Sequence, residues 1–163
     1  MRRVKLGAIA ALLALCGCVN VSPISMKASP GYRELVGKSY VLRQDLYLTS
    51  SAQSKEFDLG RFYPDKRFVD RTLPNTVDRR FIGTDLLGRR IEDIIPTGSK
   101  INVVDVIRTL VGHGYHTWLI CEVEIDGAVK WRNVSTFFIQ SEIDGNDGKL
   151  PALRSEAVKE VTK

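Results

Sequence analysis

The chain has 163 residues, with 24 Lys plus Arg against 19 Asp plus Glu, two His and three Cys. At roughly 100–200 residues per domain it holds one globular domain with extras, and 44% apolar, 8% aromatic and 26% charged residues exclude a disordered chain and a multi-span membrane protein. The formal charge of +5 raises a nucleic-acid partner, because clustered Lys and Arg neutralise phosphates, while three Cys are too few for a disulfide framework.

Arg2, Arg3 and Lys5 precede an unbroken apolar run over residues 6–15. A basic stretch followed by a short apolar run has the form of an export signal. Extended through Val19 the run is still too short for a spanning helix, which needs about 20 residues. The run ends in Leu15-Cys16-Gly17-Cys18. A small residue before a Cys, with Leu three places upstream, resembles the lipobox of bacterial lipoproteins cleaved by signal peptidase II. Cys18 carries that match; Cys16 fits it less well, because Leu15 is large for the position before a cut. The resemblance implies a diacylglyceryl group on Cys18, cleavage after Gly17 and acylation of the new amine. Val19, where Asp in such lipoproteins signals inner-membrane retention, implies the periplasmic face of the outer membrane.

Cleavage removes three of the basic residues, leaving 21 against 19, a net of +2. The nucleic-acid reading thereby loses its charge, and no nucleic-acid partner is expected. Residues 18–37, with two Pro and several Ser, read as a lipidated tether containing one helical turn near Arg33. The eighteen residues from Asn20 to Gly37, as flexible coil, span on the order of 25 Å.

Residues 38–150 read as the globular domain. Residues 39–48 alternate, with Tyr40, Leu42, Leu46 and Leu48 on one side, which predicts a half-buried strand. Residues 49–93 are irregular, with a short strand or helix expected around residues 81–87. The turn at residues 95–99 launches a β-branched strand over 100–110. A second turn at residues 111–114 leads into residues 115–125, where Tyr115, Thr117, Leu119, Cys121, Val123 and Ile125 share one face and His116, Trp118, Glu122 and Glu124 the other. Asp126-Gly127 is a tight-hairpin signal, and residues 129–139 return as its partner. Pro151 opens an expected short C-terminal helix or tail over residues 151–163.

These elements predict a mainly β fold, a small antiparallel sandwich or partly open barrel with a short C-terminal helix. Residues 96–138 resemble bacterial Src-homology-3-like domains in the Gly98 turn, the strand with Ile101, Val103 and Val104, then Trp118 and the Asp126-Gly127 hairpin. The Gly-Trp pair that closes the last strand of those domains is missing, and Trp131 stands elsewhere.

Chemistry-bearing clusters are few. His113 and His116 span a turn, but zinc takes three or four protein ligands and no further His exists; no metal or cofactor is expected. Cys121 with either His has the composition of a thiol–imidazole pair, yet a mid-strand Cys between Leu119 and Val123 reads as buried and inert. Glu122 and Glu124 beside Trp118 have the composition of a sugar-cleaving carboxylate pair, and equally of a solvated strand face. Residues 61–93 hold eight basic and six acidic residues, among them Lys66, Arg67, Arg71, Arg79, Arg80, Arg89 and Arg90. Interleaved Asp65, Asp70, Asp78 and Asp85 are expected to neutralise most of them locally.

The expected function is a non-enzymatic, membrane-anchored binding or assembly module whose partner is an envelope protein or peptidoglycan. Its candidate surface comprises Tyr115, His116, Trp118, Trp131, Arg79, Arg80, Arg89 and Arg90, because Trp, Tyr and Arg dominate interface energetics. The alternatives are a cell-wall hydrolase working through His113, His116 and Cys121 or Glu122, and a lipoprotein that inhibits a periplasmic enzyme.

Overall fold

A computed structural model describes residues 22–51, 57–60, 77–86, 88–111, 114–136, 139–140 and 150–161. Cys18 and the leader, Lys66, Arg67, Arg71 and His113 lie outside the described residues. Among the described residues no helix is long and apolar enough to cross a membrane.

The fold is mainly β. In chain order its strands are β1 (Ile24–Ser25), β2 (Ser39–Leu42), β3 (Leu46–Ser51), β4 (Phe57–Gly60), β5 (Asp85–Leu86), β6 (Arg89–Ile95), β7 (Lys100–Val111), β8 (Gly114–Ile125), β9 (Ala128–Ser135) and β10 (Val158–Glu160). A single α-helical turn, α1 (Pro30–Arg33), precedes β2, and a 3-10 turn covers Arg79–Phe81. The sheet runs β10-β2-β7-β8-β9-β4-β3-β6-β5, with β1 on the side of β7. Its two terminal strands do not pair, so the sheet is open. Pairings are antiparallel except β4 with β9.

Although β2 precedes β3 and β6 precedes β7, each consecutive pair lies in different halves of the sheet. The sheet therefore folds over on itself where the two connections cross. That corner is held by hydrogen bonds: the Gly98 amide donates to the Leu42 carbonyl at 2.9 Å, and the Leu42 amide to Ser99 at 2.8 Å. The Asp45 carboxylate accepts from the amide and hydroxyl of Thr97, at 2.7 and 2.8 Å. Gly98 has φ +88°, a conformation that a Cβ disfavours.

Inside the fold, Leu42, Leu46, Leu48, Leu59, Ile95, Ile101, Val103, Val106, Leu119, Cys121, Val123 and Val134 form one core. Tyr40, Leu42, Leu46 and Leu48 are buried as their alternation requires, but Arg43–Asp45 interrupts the expected strand and divides it at the corner. A second, smaller cluster lies on the other face of β3 and β6, where Tyr47 and Ile91 are covered by Val77, Phe81 and Ile94. The Tyr47 hydroxyl accepts from the Asp78 amide at 2.6 Å and donates to the Asp78 carbonyl at 3.1 Å, fixing the 77–81 segment there.

Between β8 and β9 the turn at Asp126-Gly127 has φ +52° and +78°, the pair of positive values that a type I′ hairpin demands. β7 and β8 are 12 residues each, about 40 Å when extended.

Three expectations are corrected. The C-terminal segment ends in strand β10, not a helix, and pairs with β2 through Val158↔Leu42 and Glu160↔Tyr40. A helix of a few residues is marginal alone, whereas the free edge of β2 offers a ladder and Ala157 and Val158 become buried. The tether joins the fold from Ile24 onward: β1 pairs with β7, and Leu35 is buried in the main core with Tyr32, Met26 and Val36 packed on it. The stretch 49–93 contains β4, β5 and β6, of which only β5 falls in the expected window.

Gln140 takes the place of a strand. Beyond β9, its side chain accepts from the Leu119 amide at 2.9 Å and donates to the Thr117 carbonyl at 3.0 Å, continuing the ladder along β8. The Thr136 hydroxyl reaches the same Gln140 oxygen at 2.9 Å, and Arg154 Nε donates to the Gln140 carbonyl at 2.9 Å. Gln140→Met, nearly isosteric but without these donors and acceptors, leaves buried Leu119 and Thr117 backbone groups unpaired and is expected to cost about 2 kcal/mol. Chemical denaturation of both chains checks it: an unchanged midpoint would show the ladder is carried without Gln140.

Candidate binding surface

Seven of the eight candidate residues fall in two regions, and Trp131 lies on β9, between them in strand order. Tyr115, His116 and Trp118 lie on β8, toward the end at which it meets β7. Arg79, Arg80, Arg89 and Arg90 surround β3 and β6, separated from β8 in the sheet by β9 and β4.

In the arginine region Arg80, Arg89 and Arg90 each have a carboxylate neighbour. Arg80 grips Asp78 through Nε at 2.9 Å and Nη2 at 2.6 Å, and the Asp78 carboxylate also accepts from the Arg80 amide, capping the 3-10 turn. These bonds hold the Asp78 carboxyl below its ordinary range. Arg89 is ion-paired with Asp58, whose side chain is almost fully buried. Arg90 Nε stands 4.0 Å from Glu92. Arg79 is exposed on the same 3-10 turn. Of the four interleaved carboxylates expected to neutralise these charges, Asp78 does so for Arg80, while Asp65 and Asp70 lie outside the described residues; Arg89 and Arg90 are met instead by Asp58 and Glu92.

Trp131, on β9, is half-buried. It packs against the main core and meets Phe57 edge-to-face, with centroids 5.0 Å apart and planes at 65°. Its alternation partner across the hairpin is Val123, which is fully buried. Trp118 is half-buried, whereas Tyr115 and His116 are exposed.

Cys121 is completely buried between Leu119 and Val123 in the core, and burial pushes its thiol far above the ordinary range. A neutral, enclosed thiol is not a nucleophile. His116 stands five residues away on the opposite strand face, so the two do not converge. Glu122 is ion-paired with Arg132, and the Glu124 carboxylate accepts from Asn102 at 3.5 Å. These cross-strand contacts engage both carboxylates. Among the described residues no three His, Cys, Asp or Glu side chains are grouped as a metal site would require.

Register adds two residues that sequence reasoning missed. Residues directly opposite in a sheet share a face. Ile24 opposes Arg108, Arg108 opposes Thr117, and Leu110 opposes Tyr115. One face of the β1–β7–β8 end thus carries Ile24, Arg108, Leu110, Tyr115 and Thr117; Ser25, Ile107, Thr109, His116 and Trp118 carry the other. The Arg108 guanidinium lies 4.3 Å from the Tyr115 ring centroid, a cation–π contact. Ile24 is 56% and Tyr115 44% exposed. Nothing in the sequence marks Ile24 as a sheet neighbour of residue 108, since 84 positions separate them. Comparison with known proteins finds no matching family model, no matching curated protein and no matching solved structure.

Proposed function

We propose that this chain is an outer-membrane lipoprotein, acylated on Cys18, whose β-domain is a non-enzymatic binding or assembly module in the periplasm. The carrying observation is the leader itself: three basic residues, a ten-residue apolar run ending in Leu15, then Cys16-Gly17-Cys18. The partner is an envelope protein or the cell wall. The Src-homology-3-like relation of residues 96–138 belongs to the same proposal. It is supported by the Gly98 turn, by the inward-facing Ile101 and Val103, and by the hairpin at Asp126-Gly127.

Mass spectrometry of the chain purified from cell envelopes tests the reading. The expected N-terminal residue is Cys18 carrying a diacylglyceryl thioether. A chain beginning at any other residue, or an unmodified Cys18, would overturn it.

A further inference from the structure

We propose that the outer end of the β7–β8 hairpin rests on a phospholipid headgroup surface through Ile24, Arg108 and Tyr115. The inference depends on the lipoprotein reading and adds to it an orientation and a contact.

Covalent reach comes first. Six residue steps separate Cys18 from Ile24, and an extended chain covers at most about 3.5 Å per step, so about 20 Å in all. Because β1 is paired with β7 at Ile107 and Arg108, three residues before β7 ends at Val111, the anchor is attached at this end of the domain. An acylated Cys18 therefore holds this end, and not the Asp126-Gly127 end, against the bilayer. The longer tether expected from the sequence would have left the domain free to turn; β1 removes that freedom.

The chemistry of the face agrees. Exposed Ile24 and Tyr115 flank Arg108 on one side of three paired strands. Tyr combines an apolar ring with a polar tip and is enriched where bilayer meets water. Arg80, Arg89 and Arg132 each have a carboxylate partner, whereas among the described residues Arg108 has none. Its Nε is buried without a hydrogen-bond acceptor, and the guanidinium carbon stands 4.3 Å from the Tyr115 ring centroid. An oriented, uncompensated guanidinium fits a phosphate, whose oxygens accept from its paired N–H groups.

Site-directed spin labelling of the acylated chain tests this, in vesicles of three parts phosphatidylethanolamine to one of phosphatidylglycerol. Single nitroxides are placed by Ile24→Cys, Tyr115→Cys and, at the far end of the β8–β9 hairpin, Lys130→Cys. Buried Cys121 stays unlabelled while the fold is intact, so one label per chain certifies each variant. At positions 24 and 115 the ratio of relaxation by oxygen to that by an aqueous nickel chelate is expected to exceed the position-130 value on the order of five-fold, as for groups seated at the acyl boundary. Equal ratios at all three positions, with Cys18 acylated by mass, would overturn the contact and leave the lipoprotein reading standing. Unmodified Cys18 in the same samples would overturn both. Dipolar broadening between position-115 labels of different copies, without the oxygen effect, would assign the face to a second copy and also overturn the proposal.

Discussion

Cys18→Ser is expected to abolish palmitate incorporation completely and to leave a precursor that retains residues 1–17. Lipid attachment through a thioether requires sulfur at that position, and a serine hydroxyl is not the thiolate nucleophile. Each buried methylene contributes roughly 0.8 kcal/mol, so one acyl chain holds a protein only reversibly while two or more anchor it stably. Removing the acceptor thus removes the anchor as a whole. The three thiols make the experiment specific. Cys16→Ser is expected to label normally, because Cys16 leaves with the cleaved segment. Cys121 cannot substitute, because it is enclosed in the core. Gel mobility and palmitate labelling of the two variants side by side read the result. Labelling that persists in Cys18→Ser and vanishes in Cys16→Ser would move the site two residues upstream; labelling that survives both would sink the assignment.

Arg89→Met is expected to destabilise the domain by about 3 kcal/mol, the cost of leaving a buried carboxylate unpaired. Asp58 lies on β4 opposite Thr49, and Arg89 on β6 opposite Ser51, so the pair bridges over the central strand β3. The Asp58 side chain is 9% exposed and that of Arg89 28%, which keeps water from replacing the lost partner. Replacing both, as Asp58→Leu with Arg89→Met, is expected to recover most of the loss, since a buried ion pair and an apolar pair of similar volume are often close in energy. The coupling read from the double-mutant cycle by urea denaturation is therefore expected to be about 2 kcal/mol. Additive losses would mean the two charges are solvated independently, and the arginine would return to the candidate contact surface.

How much of this fold is legible depends on where its strands are regular. Residues 115–125 alternate almost without fault, and Leu119, Cys121 and Val123 are the core residues that pattern predicts. The Asp126-Gly127 turn follows from local chemistry alone. In β6 the same period fails for an identifiable reason. Ile91 and Ile95 are four apart and would share a face in a regular strand. They lie in different clusters, because the register against β3 shifts between Leu48 and Thr49. One extra residue exchanges the faces midway, so counting alternate positions finds no strand in Arg-Arg-Ile-Glu-Asp-Ile-Ile. The bulge at Val104 does the same in β7, turning Val103 and Val106 inward although three residues separate them.

The candidate surface was legible in part for a related reason. Tyr115 and His116 are exposed, and Trp131 is half-buried beside Phe57. Residue type cannot say whether an aromatic faces a partner or Phe57. Gln140 carries no sequence signal at all, because any polar residue beyond a strand reads as loop until its partners on β8 are seen.

By itself the sequence determined the β-rich composition, the hairpin at Asp126-Gly127 and the buried character of Cys121. Each depends on neighbours a few positions apart, where side-chain type and spacing carry the information. Tertiary structure alone decided that residues 24–25 and 158–160 become strands, that β2 and β3 part company at the Asp45 corner, and that Arg89 is committed to Asp58. It also decided that Ile24, Arg108 and Tyr115 share a face. Those outcomes are pairings between segments distant in the chain, set by which backbone edges and charges are left to satisfy once the core has closed.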